Sequence, residues 1–198
     1  MNEASTAVSV REMILDAAHQ LFAEEGYHSV SMRRLAQIIG YSPTTIYIYF
    51  KNKGEVFQCL LERIFQEQLE AVQKTMERGL PHRDALRRML HDYVRMGLEN
   101  PSAYKVGFMR ETDLWPRSED HFPEGSYATR LYELFTSAVA RAMVPEPRDP
   151  ETVHKAACAA WAAVHGVTSL LVTYPSFPWG DVDDLIDNVI DAAMKGIS

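Results

Sequence analysis

The segment SMRRLAQIIGYSPTTIYIYFKNK, residues 31–53, holds two helix-start signals, a glycine between them and no acidic side chain. Ser31 is a good N-cap, because its hydroxyl can accept from an amide exposed in the first turn. Leu35, Ile38 and Ile39 then repeat at helical spacing and are expected to face inward, and Gly40 supplies the sharp turn that ends the helix. Ser42 caps a second, shorter helix, with Pro43 at its first position, where a missing N–H costs nothing. Ala36 is small where the two helices must approach, and Ile46 and Phe50, four apart, anchor the second helix to a core. Two short helices joined by a glycine-containing turn form a helix-turn-helix, whose second helix enters the major groove of DNA. The remaining face of that helix is expected to present Thr44, Thr45, Tyr47 and Tyr49, whose hydroxyls can bond phosphates or base edges. Lys53 opens the next helix, where its ammonium is expected to reach a phosphate.

Charge supports the same reading. The formal net charge of −7 is unfavourable for binding phosphates. Its distribution is not: no acid lies between Glu25 and Glu55, a window that carries Arg33, Arg34, Lys51 and Lys53. After Lys53 the chain has 15 Lys and Arg against 22 Asp and Glu, which accounts for the whole excess.

Outward from this segment, helical periodicity dominates and strand-like alternation is nearly absent. Upstream, a helix over 9–25 buries Ile14, Ala17, Ala18, Leu21 and Phe22 and stops at Gly26. Downstream, helices are expected over 53–78, 82–99, 101–110, 124–144, 150–173 and 181–195, with loops at 111–123 and 145–149. Residues 174–180, with two prolines and a glycine, break the last two helices apart. The expected fold is all-α, with a helix-turn-helix DNA-binding domain over 1–53 and a larger helical domain over 54–198. The latter would bind an effector and dimerise. Hydrophobic residues make up 46% of the 198, enough for a substantial core. No uninterrupted apolar run nears the roughly 20 residues of a membrane span, and the first residues lack a secretory pattern, so a cytoplasmic protein with no membrane partner is expected. Cys59 and Cys158 read as reduced thiols. No metal or cofactor is expected, since His154, Cys158 and His165 sit four and seven apart without a further ligand in view. No G-x-S-x-G, glycine-rich phosphate loop or H-E-x-x-H is present, which argues against an enzyme.

Residues 11–57 resemble the tetracycline-repressor (TetR) family of regulators. The resemblance runs through Ile14-Leu15, Ala17-Ala18, Leu21-Phe22, Gly26-Tyr27, Ser31-Met32, Leu35-Ala36, Gly40, Ser42, Thr45, Tyr47, Tyr49-Phe50 and Asn52-Lys53. It implies three DNA-binding helices, a connecting helix and a larger domain that binds an effector and dimerises. It also implies that Ser31, Arg33, Thr44, Thr45, Tyr47, Tyr49 and Lys53 face a double-stranded, palindromic operator. The stretch AAWAAVHGVTSLL, residues 159–171, is similar to a Trp-Ala-Ala-Val-His-Gly signature in the C-terminal domains of one subgroup.

In the large domain, Trp161 and His165 share a helix face. Together with Met89, Tyr93, Met96, Phe108 and Trp115 they are expected to line a cavity for a small organic effector with apolar bulk. An anionic effector would need an arginine, and Arg95 and Arg110 are nearest in sequence. The apolar stripe of the last helix and the alanine-rich helix before it are expected to pair across a two-fold axis, through Ala157, Val164, Leu185 and Val189. The expected function is a ligand-responsive regulator, a repressor released by its effector. An activator without small-molecule release, or a dimeric helical adaptor, is the alternative.

Overall fold

A computed structural model describes residues 3–109, 124–144 and 149–197 of the chain, with side chains from Val10 onward. The expected loops at 111–123 and 145–148 lie outside the described residues. The described residues contain nine helices: α1 Glu3–Glu25, α2 Met32–Ile39, α3 Pro43–Tyr49, α4 Lys53–Met76, α5 His82–Glu99, α6 Pro101–Phe108, α7 Tyr127–Ala142, α8 Pro150–Thr173 and α9 Val182–Lys195. No strand occurs among them, as the periodicity requires. Two helices differ from the expected bounds by more than one residue at their starts, and the second has a local cause. α1 begins six residues earlier than 9. α7 begins at Tyr127, not Glu124, because Ser126 caps it by accepting from the Thr129 N–H at 3.2 Å, and Gly125 before it has φ +78°.

The chain forms two compact units, one from Met1–Phe65 and Ser102–Pro123, the other from Gln66–Pro101 and Glu124–Ser198. The first is wider than residues 1–53 because α1 and the start of α4 share one core. Phe22, Tyr27 and Phe57 pack ring on ring at 5.2–5.7 Å between centroids. Arg63 of α4 ties back to α1 through Glu12 and Asp16, at 3.3 and 2.8 Å. Ile14, Leu35, Ile46, Phe50 and Leu60 are fully buried in this unit, whereas Ile38, expected to face inward with Leu35, is exposed. α6 joins it through Tyr104, also fully buried, and through Gly107, where a side-chain carbon would come within 3.3 Å of Ile64.

In the second unit α8 lies among α5, α7 and α9. Its length and composition would suit a membrane span, yet Ala157, Ala160, Val164, Val167 and Leu171 form the buried core with Leu86, Leu90, Val139, Ile186 and Ile190. Between α5 and α9 runs a seam with a four-residue repeat on both sides. Arg83 donates to the carbonyls of Met194, Ile197 and Ala142 at 2.9, 2.7 and 3.3 Å. Arg87 pairs with Asp191 and Asp187, His91 with Asp187 at 2.9 Å, and Arg95 with Asp183 at 2.6 Å. Each pair is half-exposed and worth at most about 1 kcal/mol. Their regular spacing instead fixes the register of α9 along α5.

Two of the four expected interface residues need correction here. Ala157 and Val164 are 0% and 1% exposed inside their own subunit, so they have no surface left to offer a partner. Leu185 and Val189 are half-buried against the same core. The outward side of α8 carries Ala159, Ala162 and Leu170, with Gly166 partly exposed between them.

Candidate nucleic-acid interface and effector site

The helix-turn-helix is built by its caps. The Ser31 Oγ accepts from the Arg34 N–H at 3.1 Å, and the Ser42 Oγ from the Thr45 N–H at 3.2 Å. At the end of α2, Gly40 takes φ +73°, which lets the Tyr41 N–H reach back to the Ala36 carbonyl at 2.9 Å. Ile46 and Phe50 pin α3 inward, at 0% and 2% exposure. The next helix is capped reciprocally: the Asn52 side chain accepts from the Glu55 N–H at 3.0 Å, and the Glu55 carboxylate accepts from the Lys51 N–H at 2.5 Å.

This frame sorts the residues expected to face DNA. Ser31, Arg33, Thr44 and Tyr47 are exposed. Thr45 is half-buried, and its hydroxyl lies 2.9 Å from that of Ser42, inside the cap. Tyr49 is half-buried too, because it sits about 60° from Ile46 around the helix. Lys53 is engaged elsewhere. Its Nζ donates to the carbonyls of Tyr27, Val30 and His28 at 2.7, 2.8 and 3.4 Å and lies 4.1 Å over the Tyr27 ring. Burial pushes its pKa down from the usual lysine value. The ammonium therefore closes the turn after α1 and does not project toward solvent. One residue not anticipated as DNA-facing stands out: Ile48 is 75% exposed. Its position about 200° from Ile46 was the signal, since residues two apart on a helix face opposite ways.

On α8 of the second unit, His154, Cys158, Trp161 and His165 recur at spacings of four, three and four, and so share one face. Two tyrosine–histidine pairs lie along it. The Tyr93 hydroxyl is 3.0 Å from the Nδ1 of His165, and the Trp161 indole N–H donates to that same hydroxyl at 3.3 Å. Burial lowers the His165 pKa, which keeps the imidazole neutral at pH 7. A neutral imidazole carries a single ring N–H: in the tautomer with that proton on Nε2, the Trp161 N–H donates to the Tyr93 oxygen and the Tyr93 O–H donates to His165 Nδ1. Three turns earlier the Tyr132 hydroxyl lies 2.6 Å from His154 Nδ1, and the Cys158 sulfur lies 3.6 Å from His154 Nε2. Burial, with Cys158 alongside, pushes the Tyr132 hydroxyl up to about 12, so it remains a donor. The two pairs are separated by about 16 Å along the helix, at 1.5 Å per residue.

Of the residues expected around an effector, Tyr93, Trp161 and His165 meet directly. Met89 and Met96 are on the same helix as Tyr93, Met89 buried in the core and Met96 half-buried. Phe108 belongs to the other compact unit, where it packs on Tyr104 and Phe65 at 5.5 and 5.6 Å. Trp115 and Arg110 lie outside the described residues. Arg95 is paired with Asp183. An open depression of about 370 Å³ lies along the α5–α9 seam, lined by Arg83, Asp84, Arg87, Asp191, Met194 and Lys195. Its charged lining belongs to the ion-pair ladder and does not suit an apolar ligand.

Residues 14–60 match the model of bacterial regulatory proteins of the tetR family, and residues 86–193 match a tetracyclin repressor-like C-terminal domain. The chain is 32% identical over 138 residues to the fatty acid metabolism regulator protein of Bacillus subtilis, covering 69% of this chain and 71% of that one. It spans about half the length of the first curated relatives it matches: 54% of an HTH-type transcriptional regulator of Haemophilus influenzae, at 31% identity, and 44% of the HTH-type regulator YhgD of Bacillus subtilis, at 30%. Among solved structures, a TetR family regulator from Marinobacter aquaeolei shares the fold with a TM-score of 0.71 at 20% identity, over 98% of this chain and 97% of the other. The regulator FadR of Bacillus subtilis, solved in complex with stearoyl-CoA, shares it at 0.69 and 16% identity, over 94% and 99%.

Proposed function

Because the chain belongs to the TetR family of bacterial transcription regulators, which bind DNA and are not enzymes, we propose that it is a ligand-responsive repressor. Two copies hold a palindromic operator in the cytoplasm, and a small organic effector releases them. The observation that carries the effector reading is the Trp161–Tyr93–His165 chain. Three amphipathic side chains from α5 and α8 converge in hydrogen bonds, and Trp161 is still 41% exposed. Such a group sets polar and aromatic side chains on one partly exposed face, with half-buried Met96 on the same helix as Tyr93 to adapt to an apolar chain. An acyl chain is the effector class favoured by the relatives: one is named for fatty acid metabolism and another was solved with stearoyl-CoA.

Binding changes operator affinity only if the effector prefers one arrangement of the protein over the other. A coupling of about 1–3 kcal/mol, a 5–150-fold change, is typical. The test uses stearoyl-CoA as probe with operator selected from random duplexes. Titration is expected to quench tryptophan emission and to release operator over the same concentration range. Trp161→Phe is expected to remove much of the quench. Release of operator with emission unchanged would place the effector away from Trp161. Neither quench nor release would exclude this acyl effector.

A further inference from the structure

The side of α3 away from the core carries an apolar side chain that the fold does not use. Ile48 is 75% exposed, and Thr44, one turn earlier on the same side, is exposed as well. Isoleucine is not there for the helix, since a β-branched residue lowers helix propensity. It is not there for packing, since Ile46 and Phe50 supply the anchors. A single exposed isoleucine would need no explanation, but Ile48 is not single. Ile38, Tyr41 and Tyr47 are exposed at 48%, 40% and 55%. These four are among eleven exposed large apolar side chains found in the described residues, and they fall within eleven consecutive positions. Those positions lie in the acid-free window and include the helix that a helix-turn-helix places in the major groove. An anionic duplex therefore suits the surface better than a protein partner would.

We infer that Ile48 determines operator specificity by packing on the 5-methyl group of a thymine in each half-site, with Thr44 beside it. The major groove is where that methyl projects, and apolar contact is how a side chain reads it. Pro43 cannot donate from its ring, and Thr45 is turned into the Ser42 cap. Much of the direct readout therefore falls to Thr44, Tyr47 and Ile48. The inference rests on DNA binding through α3 and is independent of the effector.

The test removes the methyl alone. An operator is selected from random duplexes with the full chain, and each thymine of a half-site is replaced in turn by deoxyuridine, symmetrically in both halves. Wild type is expected to lose about five- to tenfold in affinity at one thymine position. Ile48→Ala is expected to bind the thymine operator more weakly by a similar factor, to keep its melting temperature, and to be indifferent to uracil at that position. Ile48→Val is expected to retain part of the discrimination. Equal uracil penalties in wild type and Ile48→Ala at every position would overturn the inference. Failure to select any duplex would overturn both it and DNA binding through α3.

Discussion

Replacing Lys53 with methionine is expected to destabilise the DNA-binding unit while leaving the salt dependence of operator binding unchanged. The sequence alone suggests the opposite, a phosphate contact whose loss would lower the salt slope by about one. Geometry decides between them. The ammonium is held by three backbone carbonyls, of Tyr27, His28 and Val30, and covers the Tyr27 ring. Methionine keeps much of the apolar stem and leaves those carbonyls without the donor. A hydrogen bond from a charged group contributes about 1.5–3 kcal/mol, and partial exposure places this group near the lower end. Burial pushes the lysine pKa down, because desolvation disfavours the charged form and offsets part of what the carbonyl and ring contacts contribute. Thermal denaturation should show a fall of several degrees in Tm. A variant with wild-type Tm and a salt slope reduced by one would return Lys53 to the phosphate.

The largest expected effect on DNA affinity comes from Ala162→Glu combined with Gly166→Glu. Both positions lie on the outward side of α8, and a side chain added at Gly166 meets nothing within 4 Å in the subunit. The subunit should therefore fold. This small-residue side of α8 is expected to be where two subunits meet, so two carboxylates per protomer there should split the dimer, because unpaired buried charge is costly. Each head would then bind its half-site alone. Losing the linkage between two sites costs about 10²–10⁴ in apparent affinity. Leu185→Glu with Val189→Glu is the instructive contrast. Those residues pack on the subunit's own core, so that pair should lower Tm as well as disturb assembly. Light scattering and thermal melts on the two double variants separate the cases. An Ala162→Glu, Gly166→Glu protein that stays dimeric would move the interface off this side of α8.

What could be read from residues follows from how far apart the interacting groups lie. Caps, turn and anchors of the helix-turn-helix depend on neighbours within four or five positions, and Ser31, Gly40, Ser42, Ile46 and Phe50 all act as local rules require. The role of Lys53 could not be read, since its partners lie 23–26 positions upstream. The ladder of Arg87, His91 and Arg95 with Asp183, Asp187 and Asp191 joins residues about a hundred apart, and only the packing of α9 on α5 brings them together. Ala157 and Val164 failed as interface residues for a related reason. Alanine and valine at helical spacing fit a subunit core and a partner surface equally well, and composition does not say which side of α8 faces inward. The exposure of Ile48 was accessible from helix geometry but hidden by chemistry, because an isoleucine in a short helix reads first as an anchor. The Trp161–His165 pair was visible as a spacing of four. Its third member, Tyr93, was grouped with them as an aromatic without its hydroxyl being placed between the two rings.

Two copies of this chain are expected to read a symmetric DNA site through α3. Native mass spectrometry of the wild-type chain on its selected duplex tests this most directly, combined with footprinting of the same complex. The expected result is two chains on one duplex, with half-sites related by a two-fold axis and centred about one helical turn apart, roughly 34–36 Å, or a multiple of it. One chain on an asymmetric site, or no retained duplex at low salt, would contradict it.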